Sequence, residues 1–458
     1  MNMNINYDKK QRATLIVVIV TAFITTFTGS ALNLSVPTIG EEFKVSASLV
    51  GWIVTAYMLA SAAFSVPFGR IADITSRKKV LITGIFVFAV CSLASTFAWD
   101  MKIILAFRAL QGFGAAMIFS TNIAVLVSAF PGEDRGRVLG YSTASTYIGL
   151  SAGPVIGGLC NHYFGWRSIF LLTFAVSAVV FLIAVKSLPK DEKKSEKVDN
   201  DFLGNILYIG MIVCVLYGLS AFSTSLLAKV LLPIGLLCTA WFGKHELKTK
   251  NPIVELRLFA NNLSYTFSNI AALLNYGATF AISYLLSIYL QVVMGFNSQT
   301  AGIILVAQPV IMALLSPYAG KLSDRISPFK LASMGMGLCA VCLLFFSFLS
   351  EKSPLWSIIA ALIIAGVGFA FFSSPNTNAV MSCVEKADYG VASSVLATMR
   401  TIGHTSSMAI VTVIVGLYMG DTALSEAEPQ ILIKTMHTAF LIFTGICVVG
   451  TIISLKRK

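Results

Sequence analysis

The sequence predicts an all-α integral membrane protein, a bundle of fourteen transmembrane helices. Three observations carry that prediction. Hydrophobic residues make up 56% of the 458 and charged residues only 12%, with a mean hydropathy of +0.82. A soluble domain carries about 25% charged residues, so a chain this apolar needs lipid as its solvent. Apolar runs of about 20 residues, the length that crosses a bilayer as a helix, recur along the whole chain. The basic residues between those runs favour alternate loops, the asymmetry that orients membrane proteins.

In order, the runs are 13–38, 48–68, 80–98, 103–130, 138–160, 168–188, 203–222, 226–243, 263–290, 298–319, 330–350, 355–378, 392–418 and 437–455. The first follows Lys9, Lys10 and Arg12; it is too long for a secretory signal and lacks a small-residue cleavage site, so it reads as a first helix. With the N-terminus inside, the inner loops take the Arg70–Lys79 stretch, Arg135 and Arg137, Lys186–Lys197, Lys244–Arg257, Lys321–Lys330, Lys386 and the tail Lys456–Lys458. The outer loops hold Lys44, Lys102, Arg167, Lys229, Lys352 and Lys434. That is 25 basic residues inside against 6 outside, which places both termini in the cytoplasm. Arg108 and Arg400 fall within runs.

A repeat divides the chain. Gly69-Arg-Ile-Ala-Asp73 with Arg77, Lys78 and Lys79 returns as Gly320-Lys-Leu-Ser-Asp324 with Arg325 and Lys330. Two related halves with a site between them is a common transporter plan. The expected organisation is a six-helix half over 1–189, a polar cytoplasmic linker over 190–202, an inserted helix pair over 203–243, a second cytoplasmic linker over 244–262, and a six-helix half over 263–458.

Several function classes are excluded. The net charge of +12 sits in short runs between apolar segments, not along one face, so nucleic acid is not a partner. The eight cysteines fall mostly in apolar runs; Cys339 and Cys342 have CxxC spacing but no second pair, so neither a disulfide framework nor a metal site is expected. No GxxxxGK[ST] motif is present, so no nucleotide cofactor is expected and pumping must draw on an ion gradient. One charge crossing 100 mV supplies about 2.3 kcal/mol.

Three motifs carry chemistry. In Gly69 to Lys79, Gly69 lets two helices approach closely, and Asp73 is placed to accept from a neighbouring helix N-terminus or an arginine. In Leu105-Ala-Phe-Arg108-Ala-Leu-Gln111-Gly112-Phe-Gly114, an arginine lies inside a span, where it must face protein or a wet cavity. Gly149-Leu-Ser-Ala-Gly153-Pro154-Val-Ile-Gly157-Gly158 spaces small residues by four for close helix packing and adds a proline bend.

Together these motifs resemble the major facilitator superfamily, and most of all its fourteen-helix drug:proton antiporter branch. Gly69, Asp73, Arg77 and Lys78, with Gly320 and Asp324, match the family's cytoplasmic gate motif, though Ser76 stands where the family has a second glycine. Arg108 matches an arginine linked to proton movement. Gly149, Gly153, Pro154, Gly157 and Gly158 match the exporter signature. Trp52 to Tyr57, Glu133 to Arg137, Tyr289 to Gln291 and Gly390 to Gly403 are weaker echoes. The resemblance implies proton-coupled efflux of amphipathic small molecules such as drugs, by a monomer in a bacterial plasma membrane, with no enzymatic activity. One departure matters. Thr28 stands where drug exporters of the family carry a helix-one aspartate, five residues before Asn33, and no carboxylate lies mid-membrane. That leaves His404, four residues after Arg400 on the same helical face, as the titratable group within a span; the two suit an anionic or zwitterionic substrate. An exporter of one endogenous metabolite, lipid or anion is therefore the alternative, and a non-transporting ligand sensor is the alternative from another class. Expected cavity residues are Asn33, Tyr57, Gln111, Tyr147, Asn275, Tyr276, Tyr284, Gln308, Asn376 and Arg400.

Overall fold

The computed structural model describes residues 7–45, 47–130, 132–188, 200–222, 225–254, 256–296, 298–419 and 429–457. The expected linker over 190–202 lies largely outside them. The described residues form helices α1 (Lys9–Ala31), α2 (Val36–Phe43), α3 (Ala47–Ile74), α4 (Arg77–Thr96), α5 (Met101–Ala129), α6 (Gly132–Phe164), α7 (Arg167–Ser187), α8 (Phe202–Ser220) and α9 (Leu226–Glu246). They continue with α10 (Leu256–Asn261), α11 (Leu263–Thr279), α12 (Ala281–Ile288), α13 (Ser298–Leu305), α14 (Ala307–Ser323), α15 (Pro328–Phe346), α16 (Leu355–Ser382), α17 (Tyr389–Met419) and α18 (Pro429–Leu455).

Among the described residues, 12 helical stretches are long and apolar enough to cross a membrane. Two more helices, α6 and α17, run for 33 and 31 residues beside them, with more glycine and hydroxyl side chains. Large apolar residues face outward where lipid would solvate them: Leu226, Leu237 and Trp356 are 79%, 72% and 72% exposed.

Three of the expected single spans are broken. The run 13–38 ends α1 in a 3₁₀ turn, Leu32–Ser35, just before Pro37, which has no N–H to donate. The run 298–319 divides into α13 and α14 at Val306, a turn before Pro309 removes the bond to Leu305. The run 263–290 is interrupted at Phe280, where the Ala281 N–H donates to Ser407 Oγ at 3.2 Å, and it ends in a π-helical turn, Tyr289–Val293.

Packing follows the small residues. A Cβ at Gly149 would lie 2.6 Å from Phe23 O, one at Gly153 2.6 Å from Ser30 Cβ, and one at Gly157 2.7 Å from Ala31 Cβ. These glycines therefore let α6 lie against α1 at backbone contact, and Thr26 and Ser30 hydroxyls donate across the seam to Thr146 O and Leu150 O at 3.1 and 3.0 Å. Gly158 is half-buried, and the Pro154 side chain lies outside the described residues. One apolar core gathers Phe27, Phe88, Trp166 and Phe170 from α1 to α7; a larger one gathers Tyr289, Phe346, Phe372 and Phe440 and reaches Tyr147 on α6. The α8–α9 pair packs beside them, against α3 and α17, through Met211, Leu216, Ala63 and Val395.

Candidate functional site

The ends of the helices near both chain termini form one face. Two carboxylates clasp it shut. Asp73, at the end of α3 and 2% exposed, accepts from the N–H groups of Gly390 and Val391 at 3.1 and 2.9 Å. Those amides open α17, where a helix presents unpaired donors and partial positive charge. Arg77 completes the arrangement, 2.7 Å from Asp73, while donating to Ser128 Oγ at 3.0 Å and to the Lys386 carbonyl across the gap. Asp324, just after α14, repeats this at the start of α6, accepting from Gly136 and Arg137 N–H at 2.6 and 3.0 Å. Burial pushes the Asp324 carboxyl above its usual range, against the pull of the two amides.

The glycines of both motifs lie where helices cross. A Cβ at Gly69 would lie 2.7 Å from Gly390 O, and Gly320 meets the Gly136 carbonyl even more closely. Lys78 plays a different part: its ammonium donates to Leu188 O at 2.6 Å and so caps the end of α7. Arg135 donates to the Tyr389 hydroxyl at 3.0 Å and adds a further bridge across the face.

Away from that face, the expected cavity residues separate into groups. Arg108 on α5 is fully buried. Its Nε donates to Ile53 O at 2.9 Å, Nη1 to Gln111 Oε1 at 2.5 Å, and its guanidinium lies 4.4 Å from the centre of the Tyr57 ring. Gln111 in turn donates to Ser92 Oγ at 2.7 Å. Arg108, Gln111 and Tyr57 thus form one neutral-partnered cluster among α3, α4 and α5, with Arg108 Nη2 buried and unpaired. Thr28 faces away from it, sharing a 3.1 Å hydrogen bond with Thr173 on α7.

The second group surrounds the break at Phe280. A Cβ at Gly403 would lie 2.7 Å from Leu273 O, so α17 crosses α11 at contact there. That crossing sets His404 on the Phe280 ring, centroids 4.2 Å apart and 22° from parallel, with its edge to Tyr276 at 5.4 Å. Arg400, one turn earlier, lies 5.1 Å over the Tyr276 ring, and its Nε is buried without a partner. Tyr276 hydrogen-bonds Ser373 Oγ at 3.0 Å, and Tyr147 on α6 joins both, with Phe369 against its ring at 6.4 Å. Asn275, fully buried, has neither its amide oxygen nor its nitrogen hydrogen-bonded. Arg400, His404, Tyr276 and Tyr147 therefore come together, and Asn275 precedes Tyr276 in the chain.

Three expected residues join neither group. Asn376 sits at the terminal face, where its Oδ1 accepts from Arg457 at 2.6 Å. Tyr284 is 38% exposed on α12. Gln308 is buried at the start of α14, beside Gly366. The Asn33 side chain lies outside the described residues. The structure also adds residues that the sequence reading missed. Arg457, counted as a tail charge, is 6% exposed and hydrogen-bonded to Asn376, Ser268 and Ser454; burial pushes its guanidinium down to about 10, so it stays charged at neutral pH. Phe280 carried no signal beyond its place among Tyr276 and Tyr284. A cavity of about 230 Å³ lies not at the Arg400 cluster but at the terminal face, lined by Arg70, Lys250, Tyr265 and Asp388.

A multi-pass helical bundle clasped at one face and carrying unpaired polar groups has the build of a membrane transporter. The family model of the Major Facilitator Superfamily matches residues 18–408, and matches again over 270–457. The chain belongs to that superfamily of transporters. It is 27% identical over 447 residues to the riboflavin transporter RibZ of Clostridioides difficile, covering 97% of each chain. It is 27% identical over 421 residues to the multidrug resistance protein Stp of Mycobacterium tuberculosis, covering 91% of this chain and 78% of Stp. It is 26% identical over 407 residues to a methylenomycin A resistance protein of Bacillus subtilis, covering 88% and 87%. Among solved structures, the human organic anion transporter MFSD10 (TETRAN) superposes with a TM-score of 0.65 over 95% of this chain and 99% of that one, at 13% identity, a likeness of fold alone.

Proposed function

We propose that this chain is a proton-coupled exporter of amphipathic small molecules, of the neutral or anionic aromatic class, in a bacterial plasma membrane. The observation that carries the substrate class is the cluster of Arg400, Tyr276, His404 and Phe280, with the unpaired Asn275 next to Tyr276 in the chain. Stacked rings offer flat apolar surface, a half-buried guanidinium offers a positive charge, and a buried amide without partners offers a donor and an acceptor. A planar ring system bearing carbonyl or acidic groups suits all three. A multiply charged cation finds no counter-charge there.

In this reading the bundle has fourteen spans, counting α6 and α17. Two six-helix halves, with the α8–α9 pair beside them, work as a monomer. Both termini are cytoplasmic, as the basic-residue bias supports. The Asp73 and Asp324 clasps then close the cytoplasmic gate, and transport proceeds by rocking of the halves as the clasps break and re-form. Arg108 and His404 take part in proton coupling. Arg108 is held by a carbonyl, an amide oxygen and a ring, so a nearby proton or its loss changes the field without a competing carboxylate. Drug resistance among the relatives supports efflux.

A second reading is an exporter of one endogenous compound. The Thr28–Thr173 pair favours it, because a neutral, satisfied pair occupies the place of the drug exporters' aspartate. The relative named as a riboflavin transporter puts riboflavin, a planar heteroaromatic, on the test panel.

Everted vesicles carrying an inside-acid gradient test the proposal. Neutral and anionic aromatic amphiphiles should collapse the gradient in a protein-dependent way, and Arg400→Ala should abolish that response. Collapse by cationic amphiphiles alone would overturn the substrate class. A response to riboflavin and to no other compound would favour the second reading, and a full response in Arg108→Ala would remove Arg108 from coupling.

A further inference from the structure

The bases of α8 and α9 carry a group of side chains that transport does not use. Asp201 stands at the start of α8; His245 and Glu246 end α9. Their donor atoms lie within 4.8 Å of one another. Asp201 Oδ1 caps α8 by accepting from Gly204 N–H at 2.9 Å, and Oδ2 lies 2.8 Å from His245 Nε2. Glu246 is 2% exposed. Its Oε2 accepts from Val254 N–H at 2.9 Å, but Oε1 is buried with no partner.

The space between them is kept open by a glycine. A Cβ on Gly204 would lie 2.7 Å from Glu246 Oε1 and would also press on Asp201 Oδ2. Gly204 thus leaves a small cradle bounded by two carboxylate oxygens and one imidazole nitrogen. Two carboxylates held together and largely out of water repel each other unless a positive charge lies between them.

We propose that Asp201, His245 and Glu246 bind a first-row divalent transition metal such as Zn²⁺ or Mn²⁺. One nitrogen and two carboxylate oxygens suit such an ion, whereas Mg²⁺ and Ca²⁺ prefer oxygen alone. Zinc bonds of about 2.0–2.2 Å put neighbouring donors roughly 3.4 Å apart, so the widest pair closes by about an ångström and water fills the fourth position. In the metal-free arrangement His245 Nε2 hydrogen-bonds Asp201 Oδ2 at 2.8 Å and the Thr249 hydroxyl at 3.2 Å. The metal would take the Nε2 lone pair in place of these bonds, the neutral imidazole carrying its proton on Nδ1.

The ion would tie more than two helix ends. Glu246 holds Val254, and Ile253 and Val254 pack against Val391 and Val395 of α17, next to the amides that Asp73 clasps. A metal on Glu246 would therefore fix the segment joining the α8–α9 pair to the clasped face.

The test uses the full chain purified in detergent, stripped with chelator and titrated with Co²⁺ and Zn²⁺. Wild type should bind about one Co²⁺ per chain, with visible absorption bands of low coordination. Zn²⁺ should raise its Tm and slow tryptic cleavage after Lys248 and Lys250, which are exposed. Monodisperse His245→Gln and Glu246→Gln should bind at least tenfold more weakly, and Gly204→Ala should do likewise by filling the cradle. Two results would overturn the proposal: wild-type binding no greater than that of the double variant His245→Gln/Glu246→Gln, or Zn²⁺ shifting Tm and proteolysis equally in wild type and both single variants.

Discussion

Replacing Asp73 by asparagine should loosen the clasped face. The carboxylate accepts from Gly390 and Val391 N–H at 3.1 and 2.9 Å and pairs with Arg77 at 2.7 Å. The amide keeps one acceptor oxygen and turns an NH₂ toward a backbone N–H, so one bond becomes a donor facing a donor. A hydrogen bond to a charged group contributes about 1.5–3 kcal/mol, and an unpaired buried donor adds its own desolvation. Arg77 retains Ser128 and Lys386 as partners, which moderates its loss. The closed arrangement should therefore lose about 3 kcal/mol. At 1.4 kcal/mol per factor of ten, the open population rises roughly 100-fold. Nitroxide labels at Thr75 and Glu385, both exposed and on opposite sides of the gap, report this by pulsed EPR in a cysteine-free background. Wild type should give a short distance, and Asp73→Asn a longer population. Asp324→Asn breaks the second clasp and should widen the distribution further. Unchanged distances in the folded double variant would refute the claim that these carboxylates hold the face shut.

Three other outcomes follow from the packing. Gly153→Val drives side-chain atoms into Ser30 and Ala31 of α1; it should lower thermal stability by about 1–3 kcal/mol, read as Tm in detergent, and an unchanged Tm would mean the seam is loose. Arg457→Ala leaves Asn376 Oδ1 without its buried donor and removes the bond that Ser268 Oγ accepts; it should cost about 2–4 kcal/mol, with Arg457→Lys recovering only part, and equal Tm for wild type and alanine variant would refute it. His404→Phe preserves the stack on Phe280 but removes the titratable ring, so it should retain ligand binding by fluorescence quenching while losing proton-driven transport; undiminished transport would take His404 out of coupling.

Much of the site was legible in the sequence, for definite reasons. Gly69, Asp73, Gly320 and Asp324 announce themselves because a carboxylate and a glycine at the end of an apolar run have few other uses. Gly149, Gly153 and Gly157 announce a helix seam because spacing by four puts them on one stripe. Arg400 and His404 lie one turn apart and so share a face wherever their helix goes. Asn376 and Arg457 misled for the opposite reason: an asparagine in an apolar run reads as a cavity residue, and a terminal arginine as a loop charge. Only their juxtaposition, 81 positions apart in sequence and 2.6 Å in space, makes them one buried pair. Asp201, His245 and Glu246 gave no motif at all, because their neighbourhood depends on how two helices return to the same end.

By itself the sequence determined the solvent and the elements. Hydropathy argues for lipid over water, run length argues for helices, and the placement of lysine and arginine argues for an orientation; each is a local property of the chain. The tertiary structure decided which groups meet. It gave Asp73 the amides of Gly390 and Val391, broke the helix at Phe280 where Ser407 intercepts an N–H, and left Asn275 buried without partners. Those contacts join residues up to 318 positions apart. They depend on the angles and depths at which helices cross, and those are fixed by the simultaneous packing of all of them.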